Sequence, residues 1–147
     1  MLSPQHIFLD YLTRNKMAAT EQRRVVLEVF LGADGHHSCE ELYLKVSQRD
    51  STISPATVYR TLKLLSDSGI ADTLDFGDGV TRFESKHNKH HHDHLVCTKC
   101  GERIEVVENR IEELQETLAA KHGFNLKRHK MILYGICSDC RVTMSSN

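Results

Sequence analysis

No apolar run in the 147 residues is long enough to span a bilayer. The opening stretch MLSPQHIFLDYLTRNK has neither an uninterrupted apolar core nor a small-residue cleavage site, so no secretory signal is expected. A cytoplasmic protein with no membrane partner is the expectation. Neither sign of charge is in excess: 19 Lys and Arg against 20 Asp and Glu give a formal net charge of −1. That excludes a uniformly basic nucleic-acid binder but not a locally basic one, because binding follows where the positive charge sits. Arg14, Lys16, Arg23, Arg24, Arg60 and Lys63 all precede residue 70, whereas Asp72, Asp75 and Asp78 follow it. Internal repeats are absent, and the only biased segment is rich in histidine. The remaining balance, 39% hydrophobic and 27% charged, suits one ordinary domain or two small ones with a buried core.

The first half reads as mostly helical. Ile7, Phe8, Tyr11 and Leu12 form an apolar stripe over residues 4–15. Thr20 is placed to cap a second helix carrying Val25, Val26, Val29 and Phe30, and Ser38 with Glu41 makes a capping box ahead of Leu42, Tyr43 and Val46. In ISPATVYRTLKLLSDSGI, Ser54 caps, Pro55 occupies the first turn and Gly69 closes the helix. Val58, Leu62 and Leu65 form its inward stripe, leaving Tyr59, Arg60 and Lys63 to face outward. IADTLDF and VTRFE then alternate around GDG, a β-hairpin pattern. Three helices and a hairpin make a winged helix-turn-helix, with the leading helix as an addition.

The second half reads as a small α/β module. HLVC and RIEVVE are strand-like, Asn109 with Glu112 opens a helix bearing Ile111, Leu114 and Leu118, and Gly123 ends it. FNLKRHKMILYGIC returns as one or two strands. The expected fold is α+β: a winged helix-turn-helix over residues 1–84, a hinge over 85–90, and a metal-binding α/β module over 91–147.

Residues 86–101, KHNKHHHDHLVCTKCG, concentrate metal-liking side chains. Of the five cysteines, Cys97 and Cys100 form one Cys-x-x-Cys pair, Cys137 and Cys140 another. Two such knuckles can supply four thiolates to one tetrahedral Zn²⁺, which turns zinc binding into folding energy. Cys39 stands alone and is expected to be a buried free thiol. A four-cysteine site has no open position, so the histidines imply a second metal. On a strand, alternate residues share a face. His92 and His94 therefore point one way, His91 and Asp93 the other, and one strand can feed two nitrogen- and oxygen-rich sites. Such ligands suit Fe²⁺, Mn²⁺, Zn²⁺ or Co²⁺ without choosing among them.

ATVYRTLKLL, HHHDHLVCTKCG, RIEV and the terminal Cys-x-x-Cys, in this order from about Thr20 to Cys140, resemble the ferric uptake regulator family. The resemblance implies a dimeric repressor with an N-terminal winged helix and a C-terminal α/β dimerisation domain, binding palindromic operator DNA when loaded with a divalent metal. It implies a sensor site of His37, Glu84, His92, His94 and Glu105, with His36 able to replace His37. It implies a second site of His91, Asp93, Glu112 and His129, and structural zinc on Cys97, Cys100, Cys137 and Cys140. Two departures stand out. Family members often carry a minor-groove lysine where this chain has Ala18, with Lys16 or Arg14 as substitutes. The hinge is one residue longer and adds His87.

Sensor ligands drawn from both halves would make the metal a clamp that selects one separation of two winged helices, matched to successive DNA major grooves. The helix from Ser54 to Ser68 would enter the groove. Tyr59 would meet a thymine methyl or a phosphate, and Arg60 a phosphate or a guanine edge. Ser54 and Thr57 at the helix start would meet phosphates. Peroxide-sensing relatives use aspartates in the sensor site, so Glu84 and Glu105 favour Fe²⁺ sensing, with Mn²⁺, Co²⁺ or Zn²⁺ as substitutes. The alternatives are a peroxide-, zinc- or manganese-sensing member, or a metal-buffering protein that does not meet DNA. A metal-dependent hydrolase would need an open coordination position and a positioned base, and no nucleophile stands out. The expectation is therefore not an enzyme.

Overall fold

The computed structural model describes residues 2–87 and 92–145. It divides into two compact units, Met1–Lys89 and His90–Asn147. Among the described residues, no helix is long and apolar enough to cross a membrane.

The first unit holds α1 (Pro4–Arg14), α2 (Glu21–Gly32), β1 (His36–Ser38), α3 (Cys39–Arg49), α4 (Pro55–Asp67), β2 (Ala71–Asp75) and β3 (Thr81–Ser85). Each helix begins on a hydroxyl that accepts the N–H three residues on. Ser3 takes that of His6, Thr20 that of Arg23, Ser38 that of Glu41 and Ser54 that of Thr57. The stripes meet in one core. Val26, Val46, Val58, Leu62 and Leu65 are wholly buried, with Phe30, Leu42 and Phe8 around them. The Val58/Leu62/Leu65 stripe thus lies inward as its spacing predicts.

Helix ends are equally legible. After α4, Gly69 at φ 86° lets Ile70 N–H reach the Leu65 carbonyl (2.9 Å) and Gly69 N–H that of Ser66 (3.1 Å). After α1 the same turn is made by Lys16 at φ 56°, with Met17 N–H on Leu12 and Lys16 N–H on Thr13. A lysine here occupies a left-handed position that favours glycine.

The first sheet has the order β1-β3-β2, all antiparallel. β1 was not anticipated. Three residues have no readable period, and β3 draws them into a strand. The hairpin strand β3 runs to Ser85, one residue past the expected edge of the winged helix.

The second unit holds β4 (Asp93–Cys97), β5 (Arg103–Val106), α5 (Asn109–Lys121), β6 (Ile132–Gly135) and α6 (Ser138–Ser145). Its sheet has the order β5-β4-β6, with β5 antiparallel and β6 parallel to β4. The cap of α5 is Glu108, whose carboxylate accepts Arg110 N–H at 3.2 Å. Asn109, expected as the opening residue, is the first residue inside the helix. Of FNLKRHKMILYGIC, only Ile132–Gly135 is a strand. The closing helix α6 had no warning, because eight residues after a knuckle carry too short a period.

Candidate metal centres and nucleic-acid interface

The knuckle after β4 and the one opening α6 bring four sulfurs together. Cys97, Cys100, Cys137 and Cys140 offer ligand atoms all within 4.8 Å of one another. Sγ of Cys97 lies 3.8 Å from that of Cys140, and Cys100 lies 3.7 Å from Cys137. The N–H groups of Cys100 and Cys137 both donate to Cys97 Sγ at 3.4 Å. These backbone donors, Cys100 first, pull the Cys97 thiol down to about 6. Hydrogen bonding to Cys137, with burial, pushes Cys140 up to about 12. Cys97 is thus prepared as a thiolate by the fold, while Cys140 keeps a proton that a cation would displace. The donor set fits a tetrahedral thiolate-bound ion.

β4 builds two further clusters on its two faces. His94 sits directly across from Glu105 of β5, so the two side chains share a face. His92, just ahead of β4, brings its ring centroid 4.9 Å from that of His94, and its Nε2 3.5 Å from Glu105 Oε1. The ligand atoms of His92, His94 and Glu105 lie within 4.8 Å of one another. On the other face, Asp93, Glu112 and His129 do the same. Asp93 is 3% exposed, accepts Met131 N–H at 3.2 Å, and places Oδ2 3.6 Å from His129 Nε2. Both clusters combine nitrogen and oxygen donors, a set suited to a divalent first-row ion. His91, expected with the second cluster, lies outside the described residues.

The remaining sensor candidates belong to the first unit. Register pairs His36, not His37, with Glu84. His36, Glu84 and Asp72 form one row across β1, β3 and β2. His37 is across from Phe83, a core residue, and so lies on the other face. Its ring bonds the Asp34 carbonyl at 2.9 Å and stands 3.8 Å from Glu41. The resemblance implied His37 with His36 as its replacement, and the β1 pairing that sets their faces is not visible in the sequence.

The outward face of α4 is as expected. Tyr59 is 49% exposed, Arg60 and Lys63 are exposed, and Lys63 Nζ lies 5.7 Å above the Tyr59 ring. Tyr59 and Lys63 line an open groove of about 460 Å³ with Val80 and Thr81 of the hairpin. Ser54 and Thr57 stand at the helix start, their hydroxyls 3.1 Å apart. Lys16 is exposed in the turn after α1. Cys39 is half-buried at the edge of the core, and burial raises its thiol above the ordinary range.

The chain is similar in sequence and fold to known proteins. The sequence model of the ferric uptake regulator family matches residues 14–134. The ferric uptake regulation protein of Campylobacter jejuni is 39% identical over 135 residues, covering 90% of this chain and 85% of its own. The ferric uptake regulator of Helicobacter pylori, described as having three functional metal binding sites, superimposes with a TM-score of 0.78 at 28% identity, over 95% of each chain. A zinc-bound manganese uptake regulator superimposes with a TM-score of 0.62 at 42% identity, over 88% of this chain and 98% of its own. Three donor clusters, a winged helix-turn-helix and a match across most of the sequence lead to one conclusion: the chain belongs to the ferric uptake regulator family of metal-responsive transcriptional regulators.

Proposed function

We propose that the chain is an Fe²⁺-responsive repressor that binds palindromic operator DNA as a homodimer. Residues 1–84 would read DNA, 85–90 act as hinge and 91–147 pair the subunits. Zn²⁺ on Cys97, Cys100, Cys137 and Cys140 would tie β4 to α6 and hold the second unit folded. The sensor ion would be held by His92, His94 and Glu105, joined by Glu84 and by His36 rather than His37. The register that puts His36 beside Glu84 supports that choice. His91, Asp93, Glu112 and His129 would hold the second ion. Ser54, Thr57, Tyr59, Arg60 and Lys16 would contact the operator.

The observation that carries this reading is the cluster of His92, His94 and Glu105, donors within 4.8 Å of one another at the start of the unit that follows the DNA reader. Pairing is supported by the apolar surface of the second unit. Leu95, Ile104 and Leu133 form one cross-strand row, all of them exposed, and α5 buries none of its residues. The experiment is operator binding by zinc-loaded protein titrated with Fe²⁺, Mn²⁺ or Zn²⁺ without oxygen. Strong stimulation by Fe²⁺, lost in His92→Ala, is expected. Binding indifferent to metal would overturn the reading. Manganese sensing is the second reading, favoured by the 42% identity to a manganese uptake regulator, and stimulation by Mn²⁺ alone would select it.

A further inference from the structure

Phe76 follows β2 at the start of the hairpin turn, yet it is only 3% exposed. Its ring centroid lies 5.1 Å from that of His36, at an interplanar angle of 59°. The Arg82 guanidinium carbon lies 5.4 Å from the same ring. β1 and β2 are not neighbours, because β3 runs between them. With strands spaced about 4.8 Å apart, a side chain from the end of β2 reaches β1 only by crossing over β3. Phe76 makes that crossing on the face that carries His36, Arg82 and Glu84, away from the helical core that takes Phe83. Arg82 in turn is held by Asp78 through contacts of 2.8 and 3.1 Å. Asp78 also accepts Val80 N–H at 3.1 Å, which shapes the tip of the wing. Imidazole, phenyl ring, guanidinium and carboxylate thus touch in sequence, from β1 to the turn beside the groove of α4.

The geometry points to Phe76 as the positioning residue of the His36 imidazole, and to His36–Phe76–Arg82–Asp78 as the link through which a metal held at His36 orders the wing. The inference rests on the reading of His36 as a sensor ligand. A ligand ring already fixed by its neighbours gives up less freedom on coordination. A fixed ring also ties metal occupancy to the arginine that anchors the wing turn. Phe76 touches neither metal nor DNA in this scheme.

The test uses full-length, zinc-loaded protein and Co²⁺ as the probe, read by its visible d–d bands, with amide exchange at Gly77 and Val80 as a second readout. Phe76→Leu keeps an apolar side chain and removes the ring. It is expected to weaken Co²⁺ binding by about 10–100-fold and to alter the band shape. Phe76→Tyr restores the ring and is expected to bind within about threefold of the parent. Co²⁺ is expected to slow exchange at Gly77 and Val80 in the parent. Arg82→Gln, with Phe76 intact, is expected to lose that protection while retaining Co²⁺ affinity. If Phe76→Leu matches the parent in affinity, spectrum and exchange while His36→Ala loses the site, the inference fails and the sensor reading stands. If His36→Ala itself binds Co²⁺ like the parent, the sensor reading of His36 fails and the inference falls with it. Unchanged protection in Arg82→Gln overturns the link to the wing.

Discussion

Single residues set the chemistry, and two sets of them make sharp predictions. In the four-thiol centre, Cys140 holds its proton up to about 12 and Cys97 loses its own near 6. The Zn²⁺ proposed for this site would have to displace the Cys140 proton throughout the neutral range, so its affinity is expected to rise with pH. Below about 6 Cys97 is protonated as well, and one further proton competes with the ion. Competition against a chelator from pH 8 to pH 5 should show zinc affinity falling throughout, with a steeper slope below about 6. A pH-independent affinity would contradict the assignment of these thiols as ligands. On α4, Arg60→Ala should weaken operator binding by about 1–3 kcal/mol if it reads a base. If it contacts only phosphate, the loss should be uniform across sequences, with the salt slope reduced by about one. Electrophoretic mobility shifts on operator and scrambled DNA at several salt concentrations separate the two.

Helices and strands decide where those residues point. Lys16 closes α1 in a left-handed conformation that glycine takes without strain. Lys16→Gly should therefore raise stability to denaturant by about 1 kcal/mol and lower operator affinity by removing a cation. A simultaneous gain of stability and loss of binding is the expected signature. Ser54→Ala should cost about 1 kcal/mol of stability through loss of the cap on α4, measured by thermal or urea unfolding.

The elements also show what one sequence can reveal. Thr20, Ser38, Ser54 and Gly69 announce helix ends by local chemistry, and the structure places caps and closure there. The Cys-x-x-Cys pairs and the alternation of His92, Asp93 and His94 likewise announce two thiolate knuckles and a two-faced strand. β1, α6 and the choice between His36 and His37 were not legible. β1 exists only because β3 pairs with it, and the pairing, not the sequence near His36, fixes which histidine shares a face with Glu84. Phe76 was silent for the same reason, since its crossing over β3 is a non-local fact.

At the scale of the whole molecule, the chain divides into two compact units. The second unit leaves Leu114 and Leu118 of α5 68% and 60% exposed. A lone soluble unit gains nothing from such a stripe, whereas a paired one buries it. Leu118→Glu is expected to shift the protein from dimer to monomer in sedimentation experiments and to abolish operator binding, while the Cys97 centre retains zinc. A dimer unaffected by that change would place the pairing surface elsewhere. If the proposed sensor ion draws ligands from both units, metal and operator favour the same conformer. Linkage then makes the effect mutual: whatever factor Fe²⁺ adds to operator affinity, the operator must add to Fe²⁺ affinity.

The most direct test is the dissociation constant of Fe²⁺ for the zinc-loaded protein, measured without oxygen in the absence and then in the presence of saturating operator duplex. The operator is expected to tighten Fe²⁺ binding by about 5–150-fold, equal to the factor by which Fe²⁺ tightens the operator. An Fe²⁺ affinity that is identical with and without DNA would contradict it.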